Sequence, residues 1–242
     1  MIVRKSIRTT RNQLVSGLVK QETSSFVFEY PEDVPNPENI PSYHIWFINL
    51  EHRKDRLDFI IEQLRTAGFQ DHQWTRIDAV KHSKGALGCS KSHVKLLEEA
   101  YNTVFEYVIV FEDDFMWKQP DNKIRYQIET ILSERTFDGF VLEDQNWMIN
   151  TFNPNKWTIV KTSPTTGTAG YIVRRNYIPV LLDCFRNSVF TQERLNRILP
   201  VDVAWQPIQV RDNWLTGYPC IGKQQDEFYS DILKKVDKRT FN

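Results

Sequence analysis

The chain has 242 residues, 40% of them hydrophobic and 26% charged. That balance supports one substantial core and excludes a disordered, collagen-like or small disulfide-stapled chain. Lysine plus arginine and aspartate plus glutamate each number 31, so no global field marks a nucleic-acid partner, and any membrane contact is expected to be peripheral at most. Cys89, Cys184 and Cys220 are too few for a disulfide framework and lack the paired short spacing of a zinc motif, so a reducing compartment is expected. No window nears the roughly 18 apolar residues of a membrane span, and the first residues carry no secretory apolar segment. A cytoplasmic location is the resulting expectation.

Residues 1–20 carry Arg4, Lys5, Arg8, Arg11 and Lys20 without an acid, which reads as a solvated terminal arm. Pro31, Pro35, Pro37 and Pro41 then interrupt any regular element, so 1–41 is taken as arm and linker and 42–242 as the compact domain. Residues 45–50, Ile-Trp-Phe-Ile-Asn-Leu, read as a strand buried on both faces. Leu57, Ile60, Ile61 and Leu64 follow at helical steps, with Gly68 as the stop. A strand near 74–77, a glycine loop, and a helix with His93, Leu96, Leu97, Ala100 and Val104 on one side come next. Residues 107–111 are the strongest strand signal, and Ile124, Ile128, Ile131 and Leu132 mark a helix starting near Asp121. Residues 140–142, 157–162 and 169–174 read as strands, 177–185 and 192–198 as helices, and 207–210 as a strand. This alternation predicts an α/β fold with a mixed, mainly parallel, Rossmann-like sheet flanked by helices, its ligands held where strands end, after Leu50 and after Phe111.

The loudest chemistry is Glu112-Asp113-Asp114, three acids closing a strand that has no polar residue after Tyr107. Two close carboxylates repel by about 3–4 kcal/mol at an effective dielectric near 20, so the set wants a cation, a shared proton or exposure. Alternation along the strand places Glu112 and Asp114 on one side and Asp113 on the other. Oxygen ligands with open positions favour Mn2+ or Mg2+ bound together with a phosphate-bearing substrate. A solvated strand exit, or a negative cap on a following helix, would explain the acids without any ligand.

Six segments occur in a fixed order: Ile48-Asn49-Leu50 with Arg53 and Asp55-Arg56; Gly85-Ala86-Leu87-Gly88-Cys89-Ser90-Lys91-Ser92-His93; Glu112-Asp113-Asp114; Gly167-Thr168-Ala169-Gly170-Tyr171; Pro200-Val201-Asp202; and Ser230-Asp231-Ile232. Together they resemble glycosyltransferase family 25, whose members include lipooligosaccharide and procollagen galactosyltransferases. The resemblance covers residues 43–235 and implies a GT-A-like fold, so that 42–242 becomes the catalytic domain. It further implies a UDP-sugar donor, manganese at the acidic motif, and inverting transfer of a galactose or glucose to a glycan or hydroxylysine-type acceptor.

On that resemblance, Glu112 and Asp114 are the metal ligands. Asn49, Leu50, Arg53, Arg56, Gly85, Gly88, Ser92 and Asp113 form the donor-binding set. An arginine fork suits phosphate oxygens, and a glycine-led helix start suits an anion. Asp202 is the candidate base that takes the acceptor proton, with Asp113 as its competitor and Trp205 as a wall for a sugar ring. Ser90 or Ser92 is read as a helix cap and Cys89 as a packed thiol, while His93 is equally a core histidine or a substrate contact. The tail around Gln224, Gln225 and Asp226 is expected to close over the donor. Several tryptophans are expected to line the sugar site. Two rivals stand beside this reading: a metal-dependent phosphohydrolase or nuclease using the same acids, and a noncatalytic nucleotide-sugar or partner-binding module of the same fold.

Overall fold

The computed structural model describes residues 26–27, 39–118, 124–134, 136–143, 157–218, 220–225, 228–230 and 235–236. In chain order these form β1 (Phe26–Val27), β2 (Tyr43–Asn49), α1 (Lys54–Thr66), β3 (Trp74–Asp78), α2 (Gly85–Tyr101), β4 (Tyr107–Glu112), β5 (Phe115–Trp117) and α3 (Ile124–Glu134). There follow β6 (Gly139–Val141), β7 (Thr158–Lys161), β8 (Gly170–Arg174), α4 (Ile178–Arg194), α5 (Val201–Ala204), α6 (Gln206–Arg211), β9 (Trp214–Tyr218), β10 (Gly222–Gln224), β11 (Tyr229–Ser230) and β12 (Lys235–Val236).

The main sheet runs β1-β7-β9-β6-β8-β4-β2-β3. β2 is parallel to β3 and β4, and β6 to β9, whereas β8 opposes β4 and β6, and β7 opposes β9 and β1. Only β7 and β8 therefore run against the common direction; the sheet is mixed, as the alternation predicts, but four of its seven ladders are antiparallel, so its pairing is less parallel than expected. Side chains of β2 and β4 alternate between two layers. Ile45, Phe47, Ile109 and Phe111 pack with Ile60 and Leu64 of α1 and Ile128 and Ile131 of α3. Trp46, Ile48, Val108 and Val110 pack on the other face with Leu96 and Leu97 of α2, Leu181 and Phe185 of α4, and Trp205 beside α6. The strands read as continuous apolar runs because both faces are covered.

Several expectations need correction. Residues 207–210 are helical, within α6. Pro207 sits in the first turn, where a missing N–H costs no intrahelical bond, and the strand comes later, as β9. The two helices expected at 177–185 and 192–198 are one helix, α4, that ends at Arg194, leaving Leu195 and Ile198 exposed. Val104 lies beyond α2 and is exposed. The strands at 157–162 and 169–174 are both present: β7 lies against β9, and β8 between β4 and β6. Part of the expected arm joins the sheet, since Phe26 and Val27 pair antiparallel with Ile159 and Thr158. The expected helix start at Asp121 and most of the 1–41 segment lie outside the described residues.

Among the described residues, five tryptophans are core and Trp74 is partly buried against it. Trp117, Trp205 and Trp214 are fully buried, Trp46 and Trp157 nearly so, and Trp147 lies outside the described residues. Trp205 donates its indole N–H to the Thr165 carbonyl (3.1 Å) instead of walling a sugar site. Gly139 faces Trp214 across the β6–β9 ladder, and a Cβ there would stand 2.4 Å from the indole ring. A buried ring cannot swing away, so Gly139→Ala should cost about 3 kcal/mol through overpacking. The check is a lower urea midpoint at unchanged m value.

Candidate active site at the carboxyl edge of the sheet

The strand register brings the carboxyl ends of β2, β3 and β4 level: Asn49 pairs with Asp78 and Ile48 with Glu112. On the other side of β4, Phe111 pairs with Gly170 at the start of the reversed strand β8. The acids therefore project from the sheet edge where the strand direction changes, the position at which open α/β sheets hold ligands.

Regular strand geometry ends at Glu112, and Asp113 and Asp114 form a turn into β5. Glu112 keeps the alternation and faces α2. Its Oε1 accepts a hydrogen bond from the Thr168 hydroxyl (2.7 Å) and lies 3.1 Å from His93 Nε2. Asp113 faces α1, where its Oδ1 takes the Arg56 guanidinium at 2.8 Å and its Oδ2 the Asn49 amide at 2.8 Å. Because the backbone turns, Asp114 follows Asp113 and not Glu112: its Oδ2 lies 3.0 Å from the same Arg56 Nη1. The expected pairing of Glu112 with Asp114 on one side is thus replaced by an Asp113–Asp114 pair that converges on one cationic nitrogen. Strand periodicity cannot be extrapolated past the last ladder residue.

Electrostatics differ between the two halves. Burial pushes the Asp113 carboxyl up, more than Arg56 and Asn49 pull it down. Burial also acts upward on Glu112, but the hydrogen bond and charge of His93, the Thr168 hydroxyl and Arg56 together hold its carboxyl below the usual range. Desolvation would lower Arg56, and the charges of Asp114 and Asp113 outweigh it.

Asn49 is a brace. It is buried, its Nδ2 donates to Asp113 and to the Arg53 carbonyl, and its Oδ1 accepts from Arg76 (3.0 Å). The Leu50 carbonyl accepts the Arg53 N–H at 2.9 Å, which turns the chain into α1 and delivers both arginines to the edge. Arg53 pairs with Asp55 (2.8 Å), and the Arg53 and Arg56 guanidiniums stand 6.0 and 5.3 Å from the Phe228 ring centroid. The Gln225 N–H donates to the Asp114 carbonyl at 2.7 Å, tying the carboxyl-terminal segment to the acidic turn. Asp226, Asp231 and Ile232 lie outside the described residues.

The glycine run is not a loop. Gly85 begins α2, and neither Ser90 nor Ser92 caps it; both are buried and donate to carbonyls one turn back, Ala86 and Gly88. Ser92 Oγ also accepts the Val80 N–H (2.8 Å), and a Cβ on Gly88 would stand 2.7 Å from the Val80 carbonyl oxygen. The close approach that Gly88 permits is therefore to the 80–82 backbone. Gly170 leaves room for Phe115 in the same manner.

Asp202 lies in the first turn of α5, partly buried, with no side-chain capping bond at Pro200. It shares the acidic neighbourhood. The Cys89 thiol, pushed up first by burial, also feels Glu112, Asp202, Asp114 and Asp113 in that order. A protonated Cys89 is no nucleophile, in keeping with its reading as a packed thiol. His93 is fully buried between Glu112 and Tyr171, whose hydroxyl lies 3.1 Å from Nδ1. Among the described residues, Cys89, His93 and Glu112 bring three possible metal-ligating atoms within 4.8 Å of one another, and Asp114 is not part of that group. Arg76 and Phe228 join the site without having been singled out in the sequence. Their roles depend on partners far away in the chain, which no local pattern announces.

The family described as glycosyltransferase family 25 (LPS biosynthesis protein) matches residues 79–205, just over half of the chain. The chain belongs to that family. The family 25 match takes in α2, the acidic triplet, Thr168 and Asp202, while Asn49, Arg53 and Arg56 precede it. The lipooligosaccharide biosynthesis protein lex-1 of Haemophilus influenzae is 31% identical over 43% of this chain and 38% of its own length. A glycosyltransferase 25 family member of Anopheles gambiae is 22% identical over 76% of this chain and 34% of its own. The family 25 chain thus spans little more than a third of those curated relatives. A glycosyltransferase involved in glycosylation of the major capsid of PBCV-1 aligns at TM-score 0.45 and 11% identity, covering 73% of this chain and 82% of that one.

Proposed function

We propose that this chain transfers a hexosyl group, galactose or glucose, from a UDP-sugar to a hydroxyl of a glycan or hydroxylated side chain, with inversion at the anomeric carbon. The observation that carries the reading is the acidic turn after β4, which lies inside the family match and is held at the strand-end edge by Arg56 and Asn49. Asp114, whose Oδ2 already faces a cationic nitrogen beside Asp113, is an oxygen ligand of the kind a hard divalent ion takes, so it fits Mn2+ or Mg2+. Such an ion, when bound, supplies positive charge against the departing diphosphate.

The chain's own residues do the rest. Arg53 and Arg56, near the Phe228 ring, carry in-plane guanidinium N–H donors suited to diphosphate oxygens. Asn49 holds Asp113 and the Arg53 backbone in place. Asp202 takes the proton from the acceptor hydroxyl. Asp113 has both oxygens committed and serves as an anchor. No helix among the described residues is long and apolar enough to cross a membrane. A lipopolysaccharide-type glycan is the acceptor class in keeping with the family description.

The test is donor turnover across a panel of nucleotide sugars, with and without Mn2+, alongside thermal shift. UDP with Mn2+ at a hundredfold excess over its dissociation constant should stabilise the fold by about 2.7 kcal/mol. A single-stranded oligonucleotide should not, which separates the transferase from a nuclease. Nucleotide binding without release of sugar from any donor would point to a binding module instead.

A further inference from the structure

We propose that Cys89, His93 and Glu112 form a second cation site, for a thiophilic divalent ion of the zinc class, distinct from the hard-ion site at Asp114. Cys89 and His93 are four residues apart on α2, so helix geometry places both on one face. Glu112 comes to them from the end of β4. The three ligating atoms already lie within 4.8 Å of one another, and His93 Nε2 is 3.1 Å from Glu112 Oε1. Around a four-coordinate zinc, neighbouring ligand atoms stand roughly 3.5 Å apart. From a spacing of at most 4.8 Å, a contraction of no more than about 1.3 Å closes the site. Three protein ligands of S, N and O type leave a fourth position for water or a substrate oxygen.

The surroundings match what such sites need behind their ligands. His93 Nδ1 faces the Tyr171 hydroxyl at 3.1 Å, a group that can accept as well as donate. Without an ion, a neutral imidazole can donate Nε2–H to Glu112 and accept from Tyr171 at Nδ1. With an ion on Nε2, the proton moves to Nδ1 and Tyr171 accepts it, so the imidazole keeps both partners in either state. The Thr168 hydroxyl fixes the Glu112 carboxylate at 2.7 Å. The thiol also lies in the field of Asp202, Asp113 and Asp114, which favours a bound cation and disfavours a bare thiolate. A thiolate in the set selects zinc-class ions over Mn2+ or Mg2+.

Optical titration of the full chain with Co2+ tests this without reference to donor turnover, so its outcome is independent of the transferase reading. One equivalent of Co2+ should give the thiolate-to-cobalt charge-transfer band and the intense visible bands of a four-coordinate ion. Zn2+ should abolish both, and Mn2+ at the same concentration should abolish neither. Cys89→Ser should lose the charge-transfer band and His93→Gln should weaken Co2+ binding at least tenfold, whereas Cys184→Ser should retain the band. Circular dichroism confirms that each variant is folded. Should Cys89→Ser fail to fold, Glu112→Gln is the second variant, expected to weaken Co2+ binding while leaving the sulfur band at saturation. Absence of the band in the unmodified chain, or its survival in folded Cys89→Ser, overturns the proposal.

Discussion

Asp202→Asn should cut turnover by about 10²- to 10⁴-fold, the range general-base removal spans, while leaving the donor dissociation constant essentially unchanged. Asparagine keeps the size of the side chain and its polar contacts but cannot take a proton, so the loss should fall on kcat. Asp202 occupies the first turn of the short helix α5, where an acid also favours the helix amino end by about 0.3–1 kcal/mol. That smaller role predicts a different signature: a lower melting temperature with kcat intact. Steady-state kinetics with a saturating acceptor, nucleotide binding by calorimetry and thermal denaturation on the same preparation separate the two. A fall of less than tenfold in kcat would place the base elsewhere. Asp113 is a poor substitute, because Arg56 and Asn49 occupy its two oxygens and it is only 6% exposed. An acceptor hydroxyl would have to displace one of them.

The parts of the fold that sequence reveals are those in which a residue's neighbours in space are also set by its neighbours in the chain. β2 and β4 were legible as apolar runs because both of their faces are covered, and α1 because Ile60 and Leu64 repeat at helical spacing against one cluster. The positive φ of Gly68 closes α1 where a glycine stop is expected. Residues 207–210 misled because Ile208 and Val210 flank a polar residue, an alternation that a strand and a single helical turn share. Burial decided between them: Ile208 and Gln209 are both buried, while Val210 is exposed. A strand would set Ile208 and Val210 on one face.

The site was legible to the same degree. Clustered acids at the end of an apolar strand marked the place. The partners that give each acid its character are Arg56 from α1, His93 from α2 and Thr168 from the approach to β8, and these lie far from the acids in sequence. Spacing alone could not divide Glu112 from Asp114, since the division depends on where the ladder stops. The serine and glycine pattern of α2 was visible, yet its use was not. Small groups at Gly88 and Ser92 admit and bind the Val80 backbone, a contact between two segments whose meeting needs the whole βα unit. Trp205 shows the reverse error, a residue placed in the site by its nearness to Asp202 in sequence although its ring is entirely buried.

Arg56→Met should destabilise the fold by about 3–5 kcal/mol, because it removes the cation from a buried carboxylate while keeping the apolar stem. The Arg56 side chain is 11% exposed and bridges Asp113 and Asp114 through one nitrogen. Lysine cannot reproduce that geometry from a different stem and head, so Arg56→Lys should fall between the two. The loss should depend on pH in a defined direction. Asp113 already has a folded-state carboxyl raised above its ordinary value by burial. A raised acid contributes stability below its unfolded pKa, and that contribution disappears as pH rises through the folded value. Removing Arg56 raises the folded value further, so the variant loses stability on alkalinisation over a wider range than the parent. The gap between them should be largest at neutral pH and shrink on acidification, when the carboxyl takes a proton and no longer needs a cation. Urea titrations across about pH 4 to 8, the span over which buried carboxyls titrate, measure this directly. The double variant Arg56→Met with Asp113→Asn closes the cycle. If the buried charge is the source of the cost, the second substitution should recover a large part of the loss at neutral pH, because an amide needs no counter-charge and Asn49 can still pair with it through its own amide. A gap that ignores pH, or a double variant no more stable than Arg56→Met alone, would mean that Arg56 acts through the contact of its guanidinium with the Phe228 ring and not as a counter-charge, and the acidic turn would then keep its shape without it.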